Sequence, residues 1–291
     1  MSAEVPQHSA ITTPVDRQRL HDAYAQSPAG EYLSQRARYD AYRPASTSVE
    51  EWQDLLGADV NNLDHMLVTV QVASTFLRLS RMQETPNTSS PFSTDDENDL
   101  LLAAAIHDWG EGVEGCEDIT WRKKTSGDNL RERDAMHIVI QDVAARYSDD
   151  EDEKAEVHSQ LKRVADEIVF NKESRLGRAF DAIERVGYLR TAVRSWREQA
   201  DVKNPDMMDT LQWISADVLA LHTIPLLSHS QDHFPVLAML AQNESYISDA
   251  FALMPDSVFE MYDDDEKEQM RDKFMAAKSA WGSPDTVIHL N

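Results

Sequence analysis

Between Asp99 and Thr120 the chain reads DLLLAAAIHDWGEGVEGCEDIT, and this stretch restricts the fold more than any other. Leu100 to Ile106 form an apolar run of good helix formers, with Asp95, Asp96 and Asp99 at hand for an N-cap and first turn. A helix apolar on every side is one that a domain encloses. The run ends in His107-Asp108, after which Gly110 and Gly112 release the backbone. Two strong ligands therefore stand at the end of a buried rod. An ionised aspartate is too costly to bury without a partner, and a metal cation is the economical one. Glu111 follows His107 by four residues and shares its face if the helix continues that far.

The rest of the chain reads as helices. Over residues 60–80, Leu63, Met66, Leu67, Val70, Ala73, Phe76, Leu77 and Leu79 make an apolar stripe at helical spacing, with His65 on the first turn. A histidine there is either a satisfied core residue or a ligand. Residues 82–98 are expected to form a polar loop punctuated by Pro86 and Pro91. Residues 129–147 are amphipathic, the acidic run 148–153 opens a helix to about residue 170, and another follows over 174–199. Beyond residue 200, helices are expected at 207–227, 234–253 and 258–281, the last opened by the acidic cluster at 263–266. With only 9 Gly and 11 Pro, an all-α fold is expected.

His107-Asp108 with Glu111 resembles the HD-domain metal-dependent phosphohydrolases, in the branch with an HDxxE signature that includes 5′-deoxynucleotidases. Leu63-Asp64-His65-Met66 resembles that family's first metal-ligand segment, and the RERDAM sequence at 131–136 lies at a matching distance from the pair. Asp181, in the Asp-x-x-Glu pattern with Glu184, resembles the last ligand segment; its alternative is an ion pair with Arg178 or Arg185. Asp217, on a very apolar helix, competes for this place on burial alone. The resemblance covers about residues 31–200. It implies a helical bundle holding one divalent transition metal (Mn, Co, Fe, Ni or Zn) on His65, His107, Asp108 and Asp181. Glu111 would handle the proton of a metal-activated water. The family's second catalytic aspartate falls on Cys116 by rigid counting and on Asp118 if the loop bulges. Arg43 or Arg38, upstream of the first histidine, would stand in for the family's phosphate-binding arginine, the alternative being an ordinary surface arginine, and Lys123 or Lys124 is either a further phosphate contact or a solvated lysine. The implied substrate is a (deoxy)nucleoside 5′-monophosphate. Histidine-rich additions of the triphosphohydrolase and cyclic-dinucleotide branches are absent.

On this reading residues 1–30 are a flexible N-terminal segment, 31–200 the HD-type domain, and 201–291 a helical C-terminal extension packed on the domain or on a partner, a homodimer included. The net charge of −24 argues against a duplex nucleic-acid groove, which needs Lys and Arg. The single cysteine, Cys116, fits a reducing compartment. The N-terminus lacks a signal-peptide pattern, and no apolar run suits a membrane span, so a cytoplasmic protein is expected.

Overall fold

Two reciprocal caps start the helices that frame the centre of the molecule. Ser93 Oγ accepts from the Asp96 amide (3.2 Å) while Asp96 accepts from the Ser93 amide (2.9 Å), opening α5 (Thr94–Ile106). Thr125 and Asp128 do the same for α6 (Ser126–Tyr147), so this helix begins three residues earlier than its apolar pattern suggests. The computed structural model describes residues 15–37, 39–56, 62–82, 92–116, 124–232 and 245–282. Apart from an isolated bridge residue at Ala37, every regular element among them is helical, and the fold is all-α.

In chain order the first helices are α1 (Arg17–Ala25), α2 (Pro28–Ser34), α3 (Val49–Leu56) and α4 (Asn62–Met82). After α5 and α6 come α7 (Glu151–Val164), α8 (Arg175–Glu198) and α9 (Pro205–Asp232). Then α10 (Ser245–Leu253) and α11 (Lys267–Trp281) complete the described chain. The apolar rod behaves as its composition demands. Leu100, Ala103, Ala104 and Ile106 are fully buried, while Leu101 and Ala105 are half-buried. Its two buried acidic residues are neutralised by neighbours. Arg81 of α4 pairs with Glu97, and Arg163 of α7 grips both oxygens of Asp99 at 2.7 and 2.8 Å.

After Ile106 the chain tightens into a 3₁₀ turn, Trp109–Gly112, that packs against α6 and α2. Two glycines permit this approach. A Cβ on Gly110 would lie 2.4 Å from the Glu132 carbonyl oxygen, and one on Gly112 would lie 2.8 Å from Ala29. α4 packs beside α5, α8 contacts both, and α9 lies along α8 with α11 against it. One continuous buried cluster runs from Leu20 to Ala277, so the C-terminal helices share the core of the preceding ones. The helix expected over 258–281 is instead a 3₁₀ turn, Asp256–Met261, followed by α11. Adjacent carboxylates at 263–266 repel within a helix but suit the start of a new one. No helix among the described residues is long and apolar enough to cross a membrane.

Candidate metal centre

The geometry of the His-Asp pair follows from where α5 stops. His107 keeps helical backbone angles as its C-cap (φ −56°, ψ −33°), and Asp108 departs (φ −99°, ψ 8°). The His107 ring turns back so that Nδ1 lies 3.0 Å from the Ala104 carbonyl oxygen. A carbonyl only accepts, so Nδ1 carries the proton and Nε2 presents its lone pair inward. His65, on the first turn of α4, brings its Nε2 to 3.4 Å from that atom. Asp108 Oδ2 completes the triangle, 3.3 Å from His107 Nε2 and 3.7 Å from His65 Nε2. Both histidines are buried, and the Asp108 side chain is 13% exposed.

His65, His107 and Asp108 form a group that could hold a metal ion. Donors about 2.1 Å from one ion stand about 3.0–3.4 Å apart at octahedral or tetrahedral angles. The observed triangle is close to that spacing. The donor chemistry agrees, because a backbone carbonyl on Nδ1 is the usual way a ligating imidazole is oriented.

A ring of charge adjoins the triangle. Glu111 is buried in the 3₁₀ turn. Lys124 pairs with Glu132 of α6 and keeps its side chain 30% exposed. Burial works against the Lys124 ammonium, yet the charges of Glu132, Glu111 and Asp108 together raise its pKa and hold it protonated. A small recess at the surface is lined by Glu111, Cys116, Lys124 and Glu132. Of the phosphate-contact candidates, Lys124 therefore faces the acidic edge of the site.

The other expected residues lie differently. Arg43 spends its guanidinium locally, on Asp40 Oδ1 and the Thr47 carbonyl oxygen, each at 2.6 Å. Asp118, Arg38 and Lys123 lie outside the described residues. Asp181 is not brought into the group of three. Its Oδ2 accepts from Arg185 Nε and His229 Nε2, both at 2.7 Å, and Lys172 Nζ stands 4.0 Å from Oδ1. Burial alone would raise its carboxyl, but the charges of Arg185 and Lys172 and these hydrogen bonds hold it below its usual value. Asp217 does not join either; it is fully buried in α9 and accepts from the Tyr42 hydroxyl. Two residues near the centre carried no assigned role in the sequence reading. Glu132 sits inside the RERDAM sequence, which was a usable signal. Tyr24, whose phenol feels the charges of Asp108 and Glu111 in addition to its burial, had none.

No protein-family model, curated protein or solved structure matches this chain.

Proposed function

We propose that the chain is a metal-dependent phosphohydrolase of the HD-domain type, releasing phosphate from a (deoxy)nucleoside 5′-monophosphate. The observation that carries the reading is the triangle of His65 Nε2, His107 Nε2 and Asp108 Oδ2 with buried Glu111 on the adjoining turn. A bound divalent ion would lower the pKa of water and stabilise charge on a phosphate oxygen. The residues divide the remaining work. His65, His107 and Asp108 hold the ion, and the Ala104 carbonyl fixes the His107 ring. Glu111 orients the attacking water and accepts its proton. Lys124 provides local positive charge in an otherwise acidic molecule, suited to a phosphate monoester. No side-chain nucleophile is needed, so no covalent intermediate is expected. Asp181, the fourth ligand that the resemblance implies, would have to exchange Arg185 and His229 for the ion to serve as one.

Protein purified without chelator should contain about one transition-metal ion per chain, absent from His107→Ala. With Mn²⁺ or Co²⁺ it should release inorganic phosphate from at least one deoxynucleoside 5′-monophosphate. Glu111→Gln should retain metal and lose most turnover, about 10²-fold or more. Asp181→Asn should lose metal and activity together, whereas Asp217→Asn should retain most of both. Release of pyrophosphate or tripolyphosphate would redirect the reading to a triphosphohydrolase. Two imidazoles and one carboxylate also match the set used for O₂-activating Fe²⁺. Iron-selective loading with O₂ uptake and no phosphate release would overturn the hydrolase.

A further inference from the structure

Beside the metal centre lies a cavity of about 110 Å³ that the hydrolytic reading does not use. It opens between α1 and α4 and shares chain segments with the proposed ligands, since Met66 follows His65 and Trp109 follows Asp108. Its two sides differ in chemistry. α4 contributes Met66, Leu67 and Val70, an apolar wall. α1 contributes Arg17, His21 and Tyr24, spaced four and three residues apart and so aligned on one helix face. The row runs from exposed Arg17 to Tyr24, which is 1% exposed.

Tyr24 links the cavity to the centre. Its ring stacks on Trp109, with centroids 4.6 Å apart and planes within 7°. Its hydroxyl is buried and has no hydrogen-bond partner among the described residues. Burial, and then the charges of Asp108 and Glu111, hold its phenol well above the ordinary value, so it remains a donor at any physiological pH. A buried donor without an acceptor is costly and uncommon. An arriving ligand oxygen would satisfy it.

We propose that this cavity binds a planar heteroaromatic group of the nucleobase kind, with the Tyr24 hydroxyl donating a hydrogen bond to the phosphate that the same ligand presents to His65, His107 and Asp108. The direction assigned to the phosphate rests on the phosphohydrolase reading; the nature of the pocket does not. An apolar wall facing a polar edge suits a flat ring with greasy faces and hydrogen-bonding rims. A sugar alone would leave hydroxyls against Met66, Leu67 and Val70, and an alkyl chain would leave His21 and Tyr24 unmatched. The volume accommodates one ring system and excludes a dinucleotide.

The test is calorimetric titration of the purified full chain with each of the four deoxynucleosides, their 5′-monophosphates and inorganic phosphate. At least one deoxynucleoside should bind without any phosphate attached. Leu67→Trp fills the rim from a position 43% exposed, where the fold tolerates the change, and should weaken that binding about tenfold or more. His21→Ala, a half-buried truncation, should weaken it several-fold. Tyr24→Phe should weaken the monophosphate about tenfold while leaving the nucleoside within about twofold. Absence of nucleoside binding to the unmodified chain overturns the pocket, as does binding unchanged by both Leu67→Trp and His21→Ala. An equal effect of Tyr24→Phe on nucleoside and monophosphate overturns the hydroxyl's role. Nucleoside binding in a protein that releases no phosphate would leave the pocket standing and remove the hydrolase. Phosphate release without nucleoside binding would do the reverse.

Discussion

His222 of α9 shows what the interior of this acidic molecule does to a single group. Its ring lies against Tyr188, centroids 4.4 Å apart, and Arg185 Nη1 stands 3.1 Å from Nδ1. A guanidinium only donates, so Nδ1 accepts and the imidazole is neutral. Burial, followed by the charge of Arg185, lowers its pKa from 6.5 to about 3, with Asp181 opposing. An unfolded chain takes up a proton here below 6.5 while the folded one does not. This contribution to stability is therefore complete above pH 6.5 and declines by about 1.4 kcal/mol per pH unit as pH falls toward 3. His222→Gln keeps an acceptor for Arg185 and removes the titration. Urea unfolding across that window should show a slope shallower by about one proton than the unmodified chain, and parallel slopes would refute the assignment. The cluster around His222 also shows what sequence could convey about single residues. His107 and Asp108 were legible because they end an apolar run whose local pattern fixes their placement, whereas His65 stood out only through the resemblance of Leu63-Asp64-His65-Met66 to a ligand segment. Asp181 reads as the last ligand in the sequence, with the pair to Arg185, four residues on, as its alternative; the structure shows that pair, and His229 reaches the same carboxylate from another helix, which no spacing rule announces. Tyr24 was invisible for the same reason, since its environment comes from residues over eighty positions away.

Helices and their ends were more readable than side-chain partnerships. Acidic caps and apolar periodicity located α4, α5, α7 and α8 to within a few residues, because these signals act over one or two turns. The break before α11 was missed, as periodicity continued through a stretch that charge repulsion interrupts. Gly110 of the 3₁₀ turn and Gly187 of α8 are glycines of two different kinds. Gly110 faces the Glu132 carbonyl oxygen, a backbone atom that cannot swing aside. Gly110→Ala should cost about 1–3 kcal/mol through overpacking and should displace Glu111 and the His107-Asp108 corner with the turn. Gly187, inside α8, has nothing within 4 Å of its missing Cβ. Gly187→Ala should instead stabilise by about 0.5–1 kcal/mol through helix propensity. Thermal unfolding of the two variants side by side decides the matter. Equal shifts would mean that the turn does not press on α6 as tightly as the structure shows.

At the scale of the whole molecule, the core passes through residue 200 without interruption, which the fading resemblance at that point did not disclose. The governing property here is charge. Fifty-two Asp and Glu oppose twenty-eight Lys and Arg, giving −24. Surface ion pairs such as Arg19 with Glu153 and Arg146 with Asp142 are exposed, stabilise little and weaken with salt. Even if every cation were paired, twenty-four carboxylates would remain in excess, and their mutual repulsion opposes compaction. Repulsion should therefore win over lost pairing. Raising ionic strength from about 0.01 M to about 0.15 M shortens the screening length from about 30 Å to about 8 Å. In chelator-treated protein this should raise the midpoint of thermal unfolding. The same field attracts divalent cations toward the His65–His107–Asp108 triangle, so the identical change in salt should weaken metal binding. Two opposite responses to one variable are expected, stability rising and metal affinity falling, both read with a non-coordinating salt such as a perchlorate. A falling midpoint would show that ion pairs outweigh the excess charge, and a salt-independent metal affinity would place the triangle beyond reach of the surface field.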